Sequence, residues 1–301
     1  MNAAPMHLWA QRLCWATMSA CVTPTVAAQH NAASEPDSVH TILFEVSVAD
    51  NAHHSYLFGT HHAFGEQFLD TMDLALEKLR TCDVLVVECI GSAEAVVNAR
   101  GTRTDWSAYL SPKDLAYLRE LFTTSDVQLD LLTPTELHAA LARYHAMKNC
   151  KARSATDSSR TLDDAIIDLA VEAGMELVGL ETAEAQLELL RKDVEGMPRK
   201  VHARRLAAAI AQIRSGGTKG CNEVQRYASV QWDLHLHAPC TNTLMLTERN
   251  ARWMERIGPL LHERSCFIAV GLSHLMYDCG LISELRERGF RVEPVPLRSS
   301  E

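Results

Sequence analysis

Hydrophobic positions along the chain fall into two rhythms, and their alternation predicts the architecture. Thr41 to Val48 alternates, with Ile42, Phe44, Val46 and Val48 on one face, which is the period of a half-buried strand. Asp50-Asn51 supplies a turn and His54 to Phe58 returns as a second strand, so a hairpin is expected. From about Gln67 to Arg80 the spacing changes to three and four: Leu69, Met72, Leu76 and Leu79 form one helical stripe. Val84-Leu85-Val86-Val87 is then wholly apolar, as in a strand covered on both faces, and ends in Glu88.

Helical spacing dominates the middle of the chain, over Ser111 to Phe122, Pro134 to Met147 and Thr161 to Glu172. Gly174 closes the last of these, and Glu176 to Leu180 is another buried strand, ending in Glu181. A second helical block runs from about Ala183 to Arg214 and breaks at Ser215-Gly216-Gly217; a further helix lies near Thr247 to Ile257. Cys266 to Val270 is strand-like. Asp278 is placed to cap a helix from about Cys279 to Arg288, which Gly289 ends. Phe290 to Val295 is a last strand, and Pro294 within it argues for a sheet edge. Strands joined by crossover helices lie parallel. The expected fold is therefore α/β: a mixed, largely parallel central sheet flanked by helices, one domain over residues 41–301. Large helical insertions are expected at about 105–172 and 183–258.

The N-terminal segment reads differently. Arg12 is the only charged residue before Glu35, Leu13 to Val22 is a short apolar core, and Val26-Ala27-Ala28 offers a cleavage site. A secretion signal over 1–28 and a linker over 29–40 are expected, hence a secreted or periplasmic protein. Met18-Ser19-Ala20-Cys21 leaves lipid anchoring at Cys21 as the alternative. No segment approaches transmembrane length, so no integral span is expected. The formal net charge is −9 with no compensating basic block, which argues against a nucleic-acid partner. Of nine cysteines two lie in the expected signal, leaving seven, an odd number that cannot all pair internally. Cys82, Cys89 and Cys266 sit in or beside apolar runs and read as buried thiols, whereas Cys150, Cys221 and Cys240 are the better disulfide candidates. No pattern bears on oligomeric state.

Candidate chemistry concentrates at strand ends. Gly59-Thr60-His61-His62 follows Tyr56-Leu57-Phe58, and Gly271-Leu272-Ser273-His274 follows the run 266–270. In each a glycine is taken to let the backbone turn sharply. His62, Glu88, Glu181 and His274 all lie at or just after the carboxyl end of a predicted strand, where parallel sheets bind ligands. Two imidazoles and a carboxylate, His62, Glu88 and His274, are a workable set for a catalytic divalent ion that leaves one position for water. Glu181 would orient that water or take its proton, and Arg249 would stabilise an oxyanion or anchor a substrate carboxylate. A metal-free alternative uses one histidine as general base, with Glu88 fixing its tautomer. Plainer roles stand beside these. Glu88 and Glu181 could cap helices, Arg249 could pair on an exposed face with Glu248 and Glu255, and Trp253 could be core. His235 and His237 alternate along a possible strand as solvated histidines or a ligand pair; His53 and His54 read as hairpin-turn residues. The chain has no H-E-x-x-H helix, no G-x-S-x-G elbow, and neither a P-loop nor a dinucleotide-binding pattern.

At these residues the chain resembles the TraB/PrgY/GumN family, to which the Tiki metalloproteases are related. The matching pieces are Tyr56 to His62, Val84 to Glu88, Val178 to Thr182 with Gln186, Arg249-Asn250 with Trp253, Ala269 to Leu275, and Leu285 to Val292. They span about residues 41–296. The family's G-T-x-H is met with histidine at both its third and fourth positions, so the role is carried to His62 and His61 is an added possible ligand. The resemblance implies an erythromycin-esterase-like α/β fold and, from the Tiki proteins, peptide hydrolysis that depends on a divalent ion such as Mn, Co or Zn. The expected partner is a peptide or a small amide or ester substrate. A non-catalytic protein that sequesters a peptide or pheromone is the alternative.

Overall fold

One six-stranded sheet organises the computed structural model, with strands β1 (Leu43–Ser47), β2 (Ser55–Thr60), β3 (Val84–Cys89), β4 (Glu176–Glu181), β5 (Cys266–Gly271) and β6 (Arg291–Val295). Their order across the sheet is β4-β3-β5-β2-β1-β6. The structure describes residues 41–299 apart from positions 50–52, 92, 124, 126, 155, 158, 159 and 194. The expected signal, linker, Cys21 and the Asp50-Asn51 turn lie outside the described residues. Strands β2, β5, β3 and β4 run parallel, while β1 is antiparallel to both its neighbours. The mixed, largely parallel α/β sheet read from the sequence is therefore present. Every residue of β2, β3 and β5 is buried, which is why these runs are apolar without alternation. β6 is an edge strand, and Pro294 sits where a missing N–H costs least.

Helices fill the connections: α1 (Glu66–Leu69) and α2 (Asp73–Arg80) before β3, then α3 (Ala93–Asn98), α4 (Pro112–Leu121), α5 (Pro134–Lys148) and α6 (Leu162–Glu172) before β4. Between β4 and β5 lie α7 (Ala183–Asp193), α8 (Arg199–Ser215), α9 (Cys221–Ala228) and α10 (Glu248–Glu263), and α11 (Leu281–Glu287) follows β5. One apolar cluster covers the sheet; a second, built on Trp106, Leu118, Leu137, Leu190 and Leu206, lies among the helices of the long connections.

Three local expectations change. The single helix expected over Gln67 to Arg80 is two, because Met72 leaves helical geometry while still burying its side chain. The Thr71 hydroxyl meanwhile closes the first turn on the Phe68 carbonyl. Asp278 does not cap α11; its carboxylate accepts the Cys240 N–H at 2.9 Å, and the helix starts after Gly280. Cys279, read as helical, is instead bonded to Cys240. Gly280 is required because a Cβ there would fall 2.4 Å from the Met276 carbonyl. Gly59 and Gly271 need no left-handed backbone: Gly59 lies inside β2, where a Cβ would meet Leu272 Cδ1 at 2.6 Å, and Gly271 has φ −53°. The glycines admit a close approach rather than a sharp turn.

Candidate functional site

The register of the parallel strands brings the two histidine turns to one rim. Thr60 pairs with Gly271 across β2 and β5, so both chains leave the sheet side by side; Cys89 pairs with Glu181 across β3 and β4 at the same edge. His62, Glu88, Glu181 and His274 therefore share the carboxyl rim of four adjoining strands. The fifth member comes from α10. A π-helical turn over Thr243–Thr247 feeds this helix, whose buried stripe includes Arg249, Asn250, Trp253, Met254 and Ile257. Arg249 is 0% exposed, whereas Glu248, Arg252 and Glu255 are exposed, so its expected alternative as a surface pair is overturned.

Arg249 is the hub. Its Nε donates to both oxygens of Glu181 at 3.1 and 3.0 Å, its Nη2 to Glu88 Oε2 at 2.8 Å and also to Glu181 Oε1. Its Nη1 donates to His274 Nε2 at 3.0 Å. A guanidinium only donates, so His274 Nε2 carries the lone pair and its Nδ1–H donates to Asn250 Oδ1 at 2.6 Å. Asn250 is oriented for this because its amide nitrogen donates to the carbonyls of His274 and Cys279. Burial and the Arg249 charge push the His274 pKa down to about 3, which keeps the ring neutral. The Glu88 carboxylate also accepts the Gly271 N–H at 2.7 Å and the Gln186 amide at 3.3 Å. Burial opposes its charge, but Arg249, helped by His62 and the Gly271 N–H, outweighs this and lowers its pKa. Trp253 covers the assembly, its ring 4.6 Å from the guanidinium and 4.3 Å from the His274 ring, so it is core and site wall together.

His62 is held otherwise. Its Nδ1–H donates to Asp163 Oδ2 at 2.8 Å, and the Thr60 hydroxyl donates to Asp163 Oδ1 at 2.7 Å. Its Nε2 is buried and has no hydrogen-bond partner among the described residues. Burial works against a charged ring, yet the charge and hydrogen bond of Asp163, with Glu88 beyond, overcome it and raise the His62 pKa. Asp163 is in turn held down to about 2: burial opposes its charge, but His62 and Thr60 prevail. His61 accepts the Ala63 N–H at Nδ1, at 3.2 Å, and packs its ring 5.1 Å from both Phe64 and Tyr227.

Asp163 is the functional candidate that pattern reading missed. It opens α6 beside Asp164, which forms a capping box with Thr161, so it passes for helix-capping acidity. Two successive aspartates where one suffices is the signal available. His235 and His237 lie exposed in an irregular segment outside the site, and His54 pairs with Glu45 on the hairpin surface.

A divalent ion held by His62, Glu88 and His274 together does not fit these side chains as they lie. The His274 lone pair receives Arg249, its other nitrogen is bound to Asn250, and Glu88 is ion-paired to the same guanidinium. His61 has its lone pair on Nδ1, engaged by Ala63. Of the three site histidines, His62 alone has an imidazole lone pair with no partner among the described residues. Among the described residues two other groups bring histidine or aspartate to paired cysteines, His145/Cys150/Cys221 and Cys240/Asp278/Cys279, but in each the sulfurs are joined as a disulfide and so are not thiolate ligands. Cys82, Cys89 and Cys266 are buried free thiols, in keeping with their apolar settings.

A family model for the TraB/PrgY/gumN family matches residues 42–294. The chain belongs to the TraB/PrgY/gumN family. That span runs from the residue before β1 to the penultimate residue of β6, so it takes in both histidine turns, Glu88, Asp163, Glu181 and the Arg249 helix. No curated protein matches the chain.

Proposed function

We propose that this family member is an exported hydrolase of peptides or small amide or ester substrates, with His62 as the base that activates water. The observation that carries the reading is the His62 ring: one nitrogen locked on the half-buried Asp163 carboxylate, the other buried and without a partner among the described residues. In the reaction His62 Nε2 takes a proton from water as the water oxygen bonds to the acyl carbon. The carbonyl electron pair moves onto oxygen. When the tetrahedral intermediate collapses, the leaving group takes the proton back from His62. Asp163 keeps the ring in the competent tautomer and stabilises the imidazolium. Two carboxylates and one guanidinium, with His274 neutral, give the adjoining network a surplus negative charge that favours the same imidazolium. Arg249 and Glu181 thus act by bracing Glu88 and His274. Disulfides Cys150–Cys221 and Cys240–Cys279 suit an oxidising compartment and support export. No described helix is long and apolar enough to cross a membrane.

Metal-ligating histidines carry the same carboxylate backing as His62, so an ion at this ring is the second reading. Hydrolysis of a peptide and ester panel, before and after chelation, separates the two. Activity that survives chelation and is lost in His62→Ala supports the base. Activity lost on chelation and regained with Mn, Co or Zn supports the ion. Peptide binding that is equal in wild type and His62→Ala, with no cleavage by either, replaces both with a sequestering protein.

A further inference from the structure

His61 stands beside the proposed base with an unused donor. Because the Ala63 N–H points at Nδ1, that nitrogen carries the lone pair and the ring proton sits on Nε2. This Nε2–H is buried and finds no acceptor among the described residues. Native proteins rarely leave a buried donor unmade, and one retained near a reaction centre is suited to an acceptor that a ligand brings. Adjacent residues at the mouth of β2 thus offer complementary groups, a free donor on His61 and a free acceptor on His62. An acyl group undergoing hydrolysis needs both, a proton acceptor for the water and a hydrogen-bond donor for the carbonyl oxygen as charge develops on it. A substrate bringing only donors, such as an amine, would leave His61 unmatched.

We propose that His61 is a further catalytic residue, its Nε2–H donating to the acyl oxygen of an ester or amide substrate; this rests on the hydrolase reading above. The π pair displaced from the carbonyl by the water oxygen collects on that acyl oxygen and is held by the His61 N–H until collapse expels the leaving group. His61 neither gains nor loses a proton. Its ring is kept in place by Phe64 and by Tyr227, whose hydroxyl donates to the Gly59 carbonyl at 2.8 Å.

Full-length wild type, His61→Phe, His61→Gln and His62→Ala are compared in hydrolysis of p-nitrophenyl acetate. In parallel, the imidazole resonances of His61 are followed as phenylphosphonate, a tetrahedral oxyanion probe, is added. His61→Phe keeps the ring contacts with Phe64 and Tyr227 and removes the Nε2–H donor together with the Nδ1 acceptor of the Ala63 N–H. It should lower kcat about 100- to 1,000-fold with KM nearly unchanged; the thermal midpoint falls a little as the Ala63 N–H loses its acceptor, and His61→Gln should recover part of the kcat loss. His61→Phe with kcat within about twofold of wild type, while His62→Ala is inactive, overturns the His61 assignment and leaves the hydrolase reading intact. A wild type that hydrolyses nothing, yet shifts the His61 Nε2–H resonance with phosphonate, supports the donor and overturns only the hydrolase. No hydrolysis and no shift overturns both.

Discussion

His62 and His274 close the same four-residue pattern on neighbouring parallel strands, each three residues after a strand-end glycine, and their rings are set in opposite chemistry. His62 meets an aspartate from α6, which raises its pKa and leaves Nε2 free. His274 meets an asparagine and an arginine from α10, which occupy both nitrogens, and burial with the arginine pushes its pKa down to about 3. Equal motifs do not imply equal roles: the partner that reaches Nδ1 decides. A carboxylate there raises the pKa and suits the ring to the base role proposed above, whereas an amide and a guanidinium leave a neutral ring with both nitrogens engaged.

The most severe test of that contrast is paired truncation. His62→Ala should lower kcat about 100- to 10,000-fold, the usual worth of a general base, and also cost some stability because Asp163 Oδ2 loses its donor. His274→Ala should act mainly on stability, because it leaves an Arg249 donor and the Asn250 carbonyl unpaired in the interior. Kinetics and urea unfolding on both variants check this; a stable, inactive His274→Ala beside an active His62→Ala would reverse the assignment.

Arg249→Met probes what holds His274 on its side of the comparison. The change leaves Glu88 and Glu181 buried without their cation and should cost about 3–5 kcal/mol of stability. It also frees the His274 lone pair, so a divalent ion should now stabilise the variant, by about 2.7 kcal/mol at a hundredfold excess over its Kd. Equal stabilisation of wild type by Mn, Co or Zn would show that the guanidinium does not block the ligand set.

Asp163→Asn makes the His62 site resemble that of His274. Losing the carboxylate lowers the His62 pKa, and a base works only above its pKa, so the acid limb of the rate profile should move to lower pH. The rate on its plateau should fall about 10- to 100-fold, since the imidazolium formed in the reaction loses its counter-charge. An unmoved acid limb would mean that another group titrates there.

Much of this was legible in residue order. Apolar runs such as Val84 to Val87 and Cys266 to Val270 mark strands covered on both faces, and a parallel sheet then forces their carboxyl ends onto one rim. That is enough to gather His62, Glu88, Glu181 and His274. What remains hidden depends on side chains arriving from helices far along the chain. Asp163 looks like one more acidic residue at a helix start, and Arg249 sits in a sequence as charged as any solvated face. Which imidazole keeps a free nitrogen is decided by these arrivals, roughly a hundred residues from His62 and twenty-five from His274. Cys279 was likewise obscured, because its sequence reads as a helix start while its sulfur is tied to Cys240.

The smallest effect expected is a slope in stability against pH, and it distinguishes the two histidines without any substrate. His274 has a folded pKa of about 3 against an ordinary 6.5, so between those values the unfolded chain binds the extra proton. Its contribution is present above pH 6.5 and is lost as pH falls, at up to about 1.4 kcal/mol per unit. His61 and His138, each lowered to about 4, slope the same way. His62 has the opposite sign: its pKa is raised, so its contribution is complete below 6.5 and is lost only as pH rises through the folded value. Asp163, held at about 2 against 3.8, contributes above 3.8 and gives way only below it. Urea midpoints measured from pH 6.5 to 4.5 should therefore fall for wild type and fall less steeply for His274→Gln, which cannot titrate. The gap between the slopes should reach about 1 kcal/mol per pH unit. Parallel lines would mean that His274 is protonated in the folded chain, and the contrast between a free base and a locked neutral ring would then have to be abandoned.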